Sequence, residues 1–125
     1  MKELTKAEEQ IMQILWEIEK GFVKDVVEKL PEPKPAYNTV STIVRILEKK
    51  EFVGYNAFGK THEYFPLVDK DTYKKSLMKG MVSGYFSNSY KQLVSFFSND
   101  DNLSLNEMEE IKKLMEEQIK QKQKK

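Results

Sequence analysis

Apolar residues near the start of the chain recur with a helical period. Ala7, Ile11, Ile14, Leu15 and Ile18 fall three or four apart, the spacing that lines one face of an α-helix. Thr5 and Glu8 stand at capping-box spacing, in which each side chain satisfies a free backbone N–H at the helix start. Gly21 is the expected stop. Met12 and Trp16 form a second apolar pair one turn apart, expected to pack inside the fold. Val23, Val26, Val27 and Leu30 predict a short second helix. Pro31, Pro33 and Pro35 then forbid regular helix and make PEPKP an extended connector. A third helix is predicted from about Tyr37 to Lys50. Val40, Ile43, Val44 and Leu47 lie on one of its faces, and Asn38, Ser41, Thr42, Arg45 and Lys49 on the other.

Beyond Lys50 the pattern changes. FVGYNAFGKTHEYFPL is rich in aromatic and β-branched residues, which favours strands. Gly59-Lys60 sits between the two runs as a two-residue hairpin turn with glycine first. That turn pairs Phe58 with Thr61 and Tyr55 with Tyr64, and Pro66 closes the second strand. Three helices and a hairpin, in that order, predict a winged helix-turn-helix over residues 1–68. The fold class expected for the whole chain is mainly α with a small β-hairpin.

From Asp69 on, the period is helical again. Asp71 is the expected cap of a helix carrying Tyr73, Leu77, Met78, Met81, Val82 and Tyr85. Gly80, Gly84 and the SNS around Asn88 predict a break at 84–89. Leu93, Val94, Phe96 and Phe97 cluster next. Ser104 and Glu107 repeat the capping-box spacing before a last helix with Leu105, Met108, Ile111, Leu114, Met115 and Ile119, and the closing QKQKK is expected to fray. This tail is too apolar for a linker and too short for a convincing core of its own. Its apolar faces predict a helical dimerisation region over 69–125. The residues expected to carry it are Leu77, Met81, Tyr85, Leu93, Phe97, Met108, Ile111, Met115 and Ile119, in a two-fold homodimer. The competing reading folds the tail back on its own chain. GMVSG matches G-x-x-x-G but lies in no apolar 20-mer, so it reads as incidental.

Composition narrows the function. Charged residues make up 33% of the 125 and apolar ones 39%, as in globular proteins. No apolar run approaches the roughly 20 residues of a membrane-spanning helix, and no secretory signal opens the sequence. The chain has no cysteine, which excludes disulfides and thiolate metal sites and fits a reducing cytoplasm. The net charge of +1 hides a division. Residues 1–33 hold five lysines against eight acids, and residues 34–60 hold five cations against Glu48 and Glu51. A phosphate-binding face is therefore expected near the third helix. His62 is the lone histidine, it falls on a strand, and no glycine-rich phosphate loop occurs. Nothing signals an enzyme, a metal or a cofactor.

The expected function is sequence-specific DNA binding. The third helix would enter the major groove, where asparagine pairs with adenine and arginine with guanine. Asn38, Ser41, Thr42 and Arg45 are the expected base-reading residues. Thr39 sits where a helix start holds phosphate. Lys49, Lys50 and the wing-tip Lys60 would add phosphate charge, and Tyr37 would pack the helix entrance or bind phosphate. The alternative is a winged helix that binds proteins and no DNA.

LTKAEEQIMQILW, FVKDVVEKL, YNTVSTIVRILEKKEFV and GKTHEYFPL together resemble the bacterial penicillinase-repressor family, as do the later YKQLVSFF and LSLNEMEEIKKLMEE. The resemblance implies a homodimeric winged-helix repressor of a palindromic operator, held together by its C-terminal helices. For the antibiotic-responsive branch it also implies a membrane sensor-protease partner, with cleavage within the dimerisation helices. Thr39 and Thr42 match the family's third helix. The family's arginine near the helix end falls on Ile46, and here the guanidinium stands one place earlier, at Arg45, about 100° away around the axis. The Asn-Phe bond of the antibiotic-responsive branch aligns with Phe96-Phe97, without the asparagine. The cysteine-rich tail of the copper-responsive relatives is absent.

Overall fold

The computed structural model describes residues 1–124. The first helix, α1 (Lys6–Ile18), starts where the capping box places it. The Glu8 N–H donates to Thr5 Oγ1 at 3.2 Å, and the Thr5 N–H donates to Glu8 Oε1 at 2.8 Å. The helix does not end on Gly21. Glu19 makes the left-handed turn, at φ 72°, and its N–H donates to the Leu15 carbonyl at 2.8 Å. Gly21 serves another purpose. It exchanges two backbone hydrogen bonds with Tyr64, at 2.8 and 2.9 Å, and so ties the end of α1 to the hairpin. A Cβ at this position would lie 2.7 Å from Ile18 Cδ1, so a side chain here requires Ile18 to shift.

The second helix, α2 (Val23–Lys29), buries Val23 and Val26. The connector after it does more than extend. Lys34 Nζ reaches back to the carbonyls of Glu28 and Leu30, at 2.7 and 2.8 Å, and so satisfies orphan acceptors at the end of α2. The third helix, α3 (Tyr37–Lys49), buries Val40, Val44 and Leu47. Strands β1 (Val53–Phe58) and β2 (Thr61–Pro66) pair antiparallel in the expected register, Phe58 with Thr61 and Tyr55 with Tyr64. Gly59 turns the hairpin at φ 63°, a left-handed conformation that glycine adopts without steric cost.

One core joins these elements. Ile11 and Leu15 of α1, Val26, the buried face of α3, Phe52 and Val53 are almost wholly removed from water. Each such side chain contributes about 1.5–3 kcal/mol by burial. Helix α4 (Lys70–Tyr85) enters this core with Tyr73. The Tyr73 ring centroid lies 5.6 Å from that of Trp16 and 5.9 Å from that of Phe52, and its hydroxyl donates to Glu9 at 3.0 Å. Trp16 Nε1 donates to the Val68 carbonyl at 2.9 Å. The cap of α4 is Asp69, which accepts the Thr72 N–H at 2.6 Å. Asp71, the expected cap, instead pairs with Lys74 at 3.3 Å on the surface. The first compact unit accordingly runs from Met1 to Leu77, and a second begins at Met78.

The second unit holds the rest of α4, α5 (Tyr90–Ser98) and α6 (Leu105–Gln123). The break falls within the expected stretch. Ser87 and Asn88 turn left-handed, at φ 52° and 61°, and the N–H groups of Phe86 and Asn88 both donate to the Val82 carbonyl at 3.0 Å. Ser89 caps α5, and Ser104 with Glu107 forms the second capping box. Most of the closing QKQKK run is helical, through Gln123, and Lys125 lies outside the described residues.

Candidate nucleic-acid interface

Helix α3 presents its polar face because Val40, Val44 and Leu47 anchor the opposite one. Tyr37, Asn38, Thr39, Thr42, Arg45 and Lys49 are exposed, and Ser41 is half-buried. No acidic residue stands in the first turn, and no side chain caps it. The N–H groups of Tyr37 and Asn38 are thus open to an outside acceptor, while that of Thr39 donates to the Ala36 carbonyl at 3.1 Å. Two hydrogen bonds shape the face. Thr42 Oγ1 donates to the Asn38 carbonyl at 2.9 Å. Arg45 folds back one turn, with Nη2 3.2 Å from Ser41 Oγ.

That fold-back places Arg45 beside a cleft of about 400 Å³ between α3, the start of α2 and the wing. Tyr37, Ser41 and Arg45 line it from α3, Lys24 from α2, and Lys60 and His62 from the wing. Three basic side chains line it, and no carboxylate does. Lys24 escaped the sequence reading because it lies in the acidic first third, where the regional charge count hides it. Only its place at the start of α2, beside the wing, distinguishes it, and that requires the fold. One aromatic contact ties the wing to the residue before α2, and another joins its two strands. Phe58 meets Phe22 edge-on at 5.9 Å, and Tyr55 stacks on His62 at 4.1 Å. Burial, with help from the Glu48 carboxylate, raises the pKa of Tyr64 at the cleft floor, so its phenol stays neutral.

Lys50 does not join this face. Its ammonium lies 2.7 Å from Glu8 Oε1 and donates to the Glu3 carbonyl at 3.2 Å. Glu8 is only 4% exposed. Burial pushes its pKa up, but the hydrogen bonds from Lys50 and the Thr5 backbone outweigh that and leave it lowered. The Lys50 charge is therefore engaged in joining α3 to α1.

The expected dimerisation residues divide differently. Leu77 is exposed and belongs to the first unit. In the second unit, Met81, Tyr85, Met115 and Ile119 are exposed, while Leu93, Phe97, Met108 and Ile111 are half-buried. Phe96, 70% exposed, packs its ring against Phe86 at 5.6 Å, and the Phe96-Phe97 bond lies inside α5. Among the described residues no helix is long and apolar enough to cross a membrane.

Known proteins resemble this chain along most of its length. A family model described as penicillinase repressor matches residues 4–117. The methicillin resistance regulatory protein MecI of Staphylococcus aureus (strain N315) is 25% identical over 114 residues, covering 90% of this chain and 93% of that protein. The penicillinase repressor of Bacillus licheniformis is 22% identical over 116 residues, covering 92% and 91%. The solution structure of the DNA binding domain of the repressor BlaI superposes with a TM-score of 0.50 at 23% identity, over 58% of this chain and 94% of that one. At that identity the likeness speaks for the winged-helix fold alone. The chain belongs to the penicillinase repressor family.

Proposed function

We propose that this penicillinase repressor family member is a DNA-binding transcriptional repressor whose α3 enters the major groove of an operator while the wing follows the backbone. The observation that carries the reading is the cleft of Lys24, Arg45 and Lys60 without a carboxylate, set beside an exposed amide and hydroxyl stripe. Cations neutralise phosphates by releasing counterions, and α3 supplies groups that distinguish bases. Asn38 and Thr42 face outward from the helix. Arg45 must leave Ser41 to reach a guanine, or it holds a phosphate from where it lies. Lys49, Lys60 and Lys24 serve the backbone, with Thr39 and Tyr37 at the open start of α3.

Two copies form the repressor through the apolar faces of α4, α5 and α6, and a two-fold dimer reads an inverted repeat. Half-sites then lie roughly 10 base pairs apart, centre to centre. The protein works in the cytoplasm, where its operator is. The Phe96-Phe97 bond is helical and lacks the preceding asparagine, so a membrane sensor-protease is not part of the proposal.

Selection of bound duplexes from a random library, followed by titration across salt, tests this reading. An inverted-repeat site and a steep negative slope of log K against log salt are the expected results. Arg45→Ala should weaken the selected site about tenfold. A flat slope with no DNA retained at low salt would overturn the proposal and favour a protein-binding winged helix.

A further inference from the structure

The outward stripe of α3 contains a residue that fits no polar role. Asn38, Thr42, Ile46 and Lys49 are spaced four, four and three apart, so they share one face of the helix. Ile46 is 39% exposed and takes no part in the core, whereas Ile43, three residues earlier and about 60° round the axis toward the buried face, packs against it. A lone surface isoleucine needs no explanation, but this one has an apolar neighbour. Thr42, one turn before it, commits its hydroxyl proton to the Asn38 carbonyl, so its oxygen can only accept and its methyl is left free for an apolar contact. One turn apart, the Thr42 methyl and Ile46 give the groove-reading face a small apolar strip, Ile46 on the side nearer the core. Arg45, the next residue round, has turned toward Ser41 and the wing cleft and does not cover the strip.

We infer that Thr42 and Ile46 form an apolar contact for the 5-methyl group of a thymine in each operator half-site. The major groove offers few apolar groups, and the thymine methyl is the one aliphatic contact that base edges present there. A buried methyl-sized group contributes about 0.8 kcal/mol, roughly fourfold in affinity. The inference rests on the proposed DNA-binding reading. It adds that specificity at one position comes from shape and hydrophobicity, without a hydrogen bond.

The test uses the intact protein and the duplex selected from a random library. Each thymine is replaced singly by deoxyuridine, which removes the methyl and leaves base pairing intact. The wild-type protein should lose about three- to fivefold in affinity at one thymine per half-site and little elsewhere. Ile46→Ala should bind the unmodified duplex about as weakly as the wild type binds the deoxyuridine one, and the same replacement should then cost it little more. Alanine suits an exposed helix position, so the fold should hold. Thr42→Ser keeps the hydroxyl bond and drops the methyl, and it should reduce the deoxyuridine effect part of the way. Deoxyuridine replacements that all leave wild-type affinity unchanged, or a penalty equal in wild type and Ile46→Ala, would overturn the inference while leaving DNA binding intact. Failure to select any duplex overturns the DNA-binding reading and this inference with it.

Discussion

The two compact units handle their apolar residues in opposite ways. Between Met1 and Leu77, α1, α2, α3, the hairpin and Tyr73 share one core, and its fully buried side chains include Phe52, Ile11 and Leu47. In the unit that begins at Met78, Val82 is the one buried apolar residue among those described. Tyr85 there is 83% exposed, and Leu114, Met115 and Ile119 stay more than half exposed along α6. The first unit is therefore stabilised within a single chain. The second has regular helices and capped ends but lacks a core to match, and contiguous exposed apolar faces of this kind mark association surfaces. Secondary structure in α6 comes from local signals, and the proposed dimer would cover the apolar side chains it leaves exposed.

The sharpest break of this comparison is Phe52→Ala. It should cost about 3–5 kcal/mol of stability, read by chemical denaturation. Met115→Glu should leave the thermal unfolding of the first unit within about 0.5 kcal/mol of wild type. It should weaken self-association at least tenfold, measured by sedimentation, because an unpaired charge would sit in the interface. A monomeric wild type, or an unchanged dimer in Met115→Glu, would remove the second copy as the explanation of the exposed faces.

Within the first unit, Lys50→Met should cost about 1–3 kcal/mol, because Glu8 stays buried without its partner. The cost has a pH signature. The Glu8 pKa is lowered in the fold, so its contribution is complete above the ordinary carboxylate range of about 4.3 and is lost as pH falls below it. Lys50→Met should flatten that acid limb. The smallest effect is expected at Tyr73. Burial, then the hydrogen bond to Glu9, pushes its pKa up to about 12. Its contribution is complete below the ordinary value near 10 and is lost as pH rises from there toward 12. Tyr73→Phe should cost about 1 kcal/mol at neutral pH and remove this alkaline loss. An alkaline limb unchanged in Tyr73→Phe would assign it to another group.

Much of the first unit was legible residue by residue. Thr5 with Glu8 and the Gly59-Lys60 turn are local signals, and local signals fix local geometry. The capping box forms whichever partner α1 packs against, and a glycine-first turn sets the hairpin register. The departures share a cause. From chain neighbours alone Gly21 reads as a helix stop and Asp71 as a cap, and nothing nearby ties up Lys50. In the fold, Gly21 meets Tyr64 across 43 positions, Lys50 meets Glu8 across 42, and Tyr73 reaches Glu9 across 64. Lys24 failed in the opposite direction, because a regional charge count cannot show a cation facing the wing.

By itself, then, the sequence determined the order of helices and hairpin, the strand register and the buried stripe of α3. Periodicity, capping and turn chemistry act over a few residues and need no tertiary partner. Only the tertiary structure decided which charges remain free. Glu8 is removed from water when α1 packs into the core, and a buried carboxylate needs a cation, which holds Lys50 against it. The close approach of α2, α3 and the wing brings Lys24, Arg45 and Lys60 to one cleft. The same packing leaves Ile46 facing outward, one residue from an arginine that turns the other way.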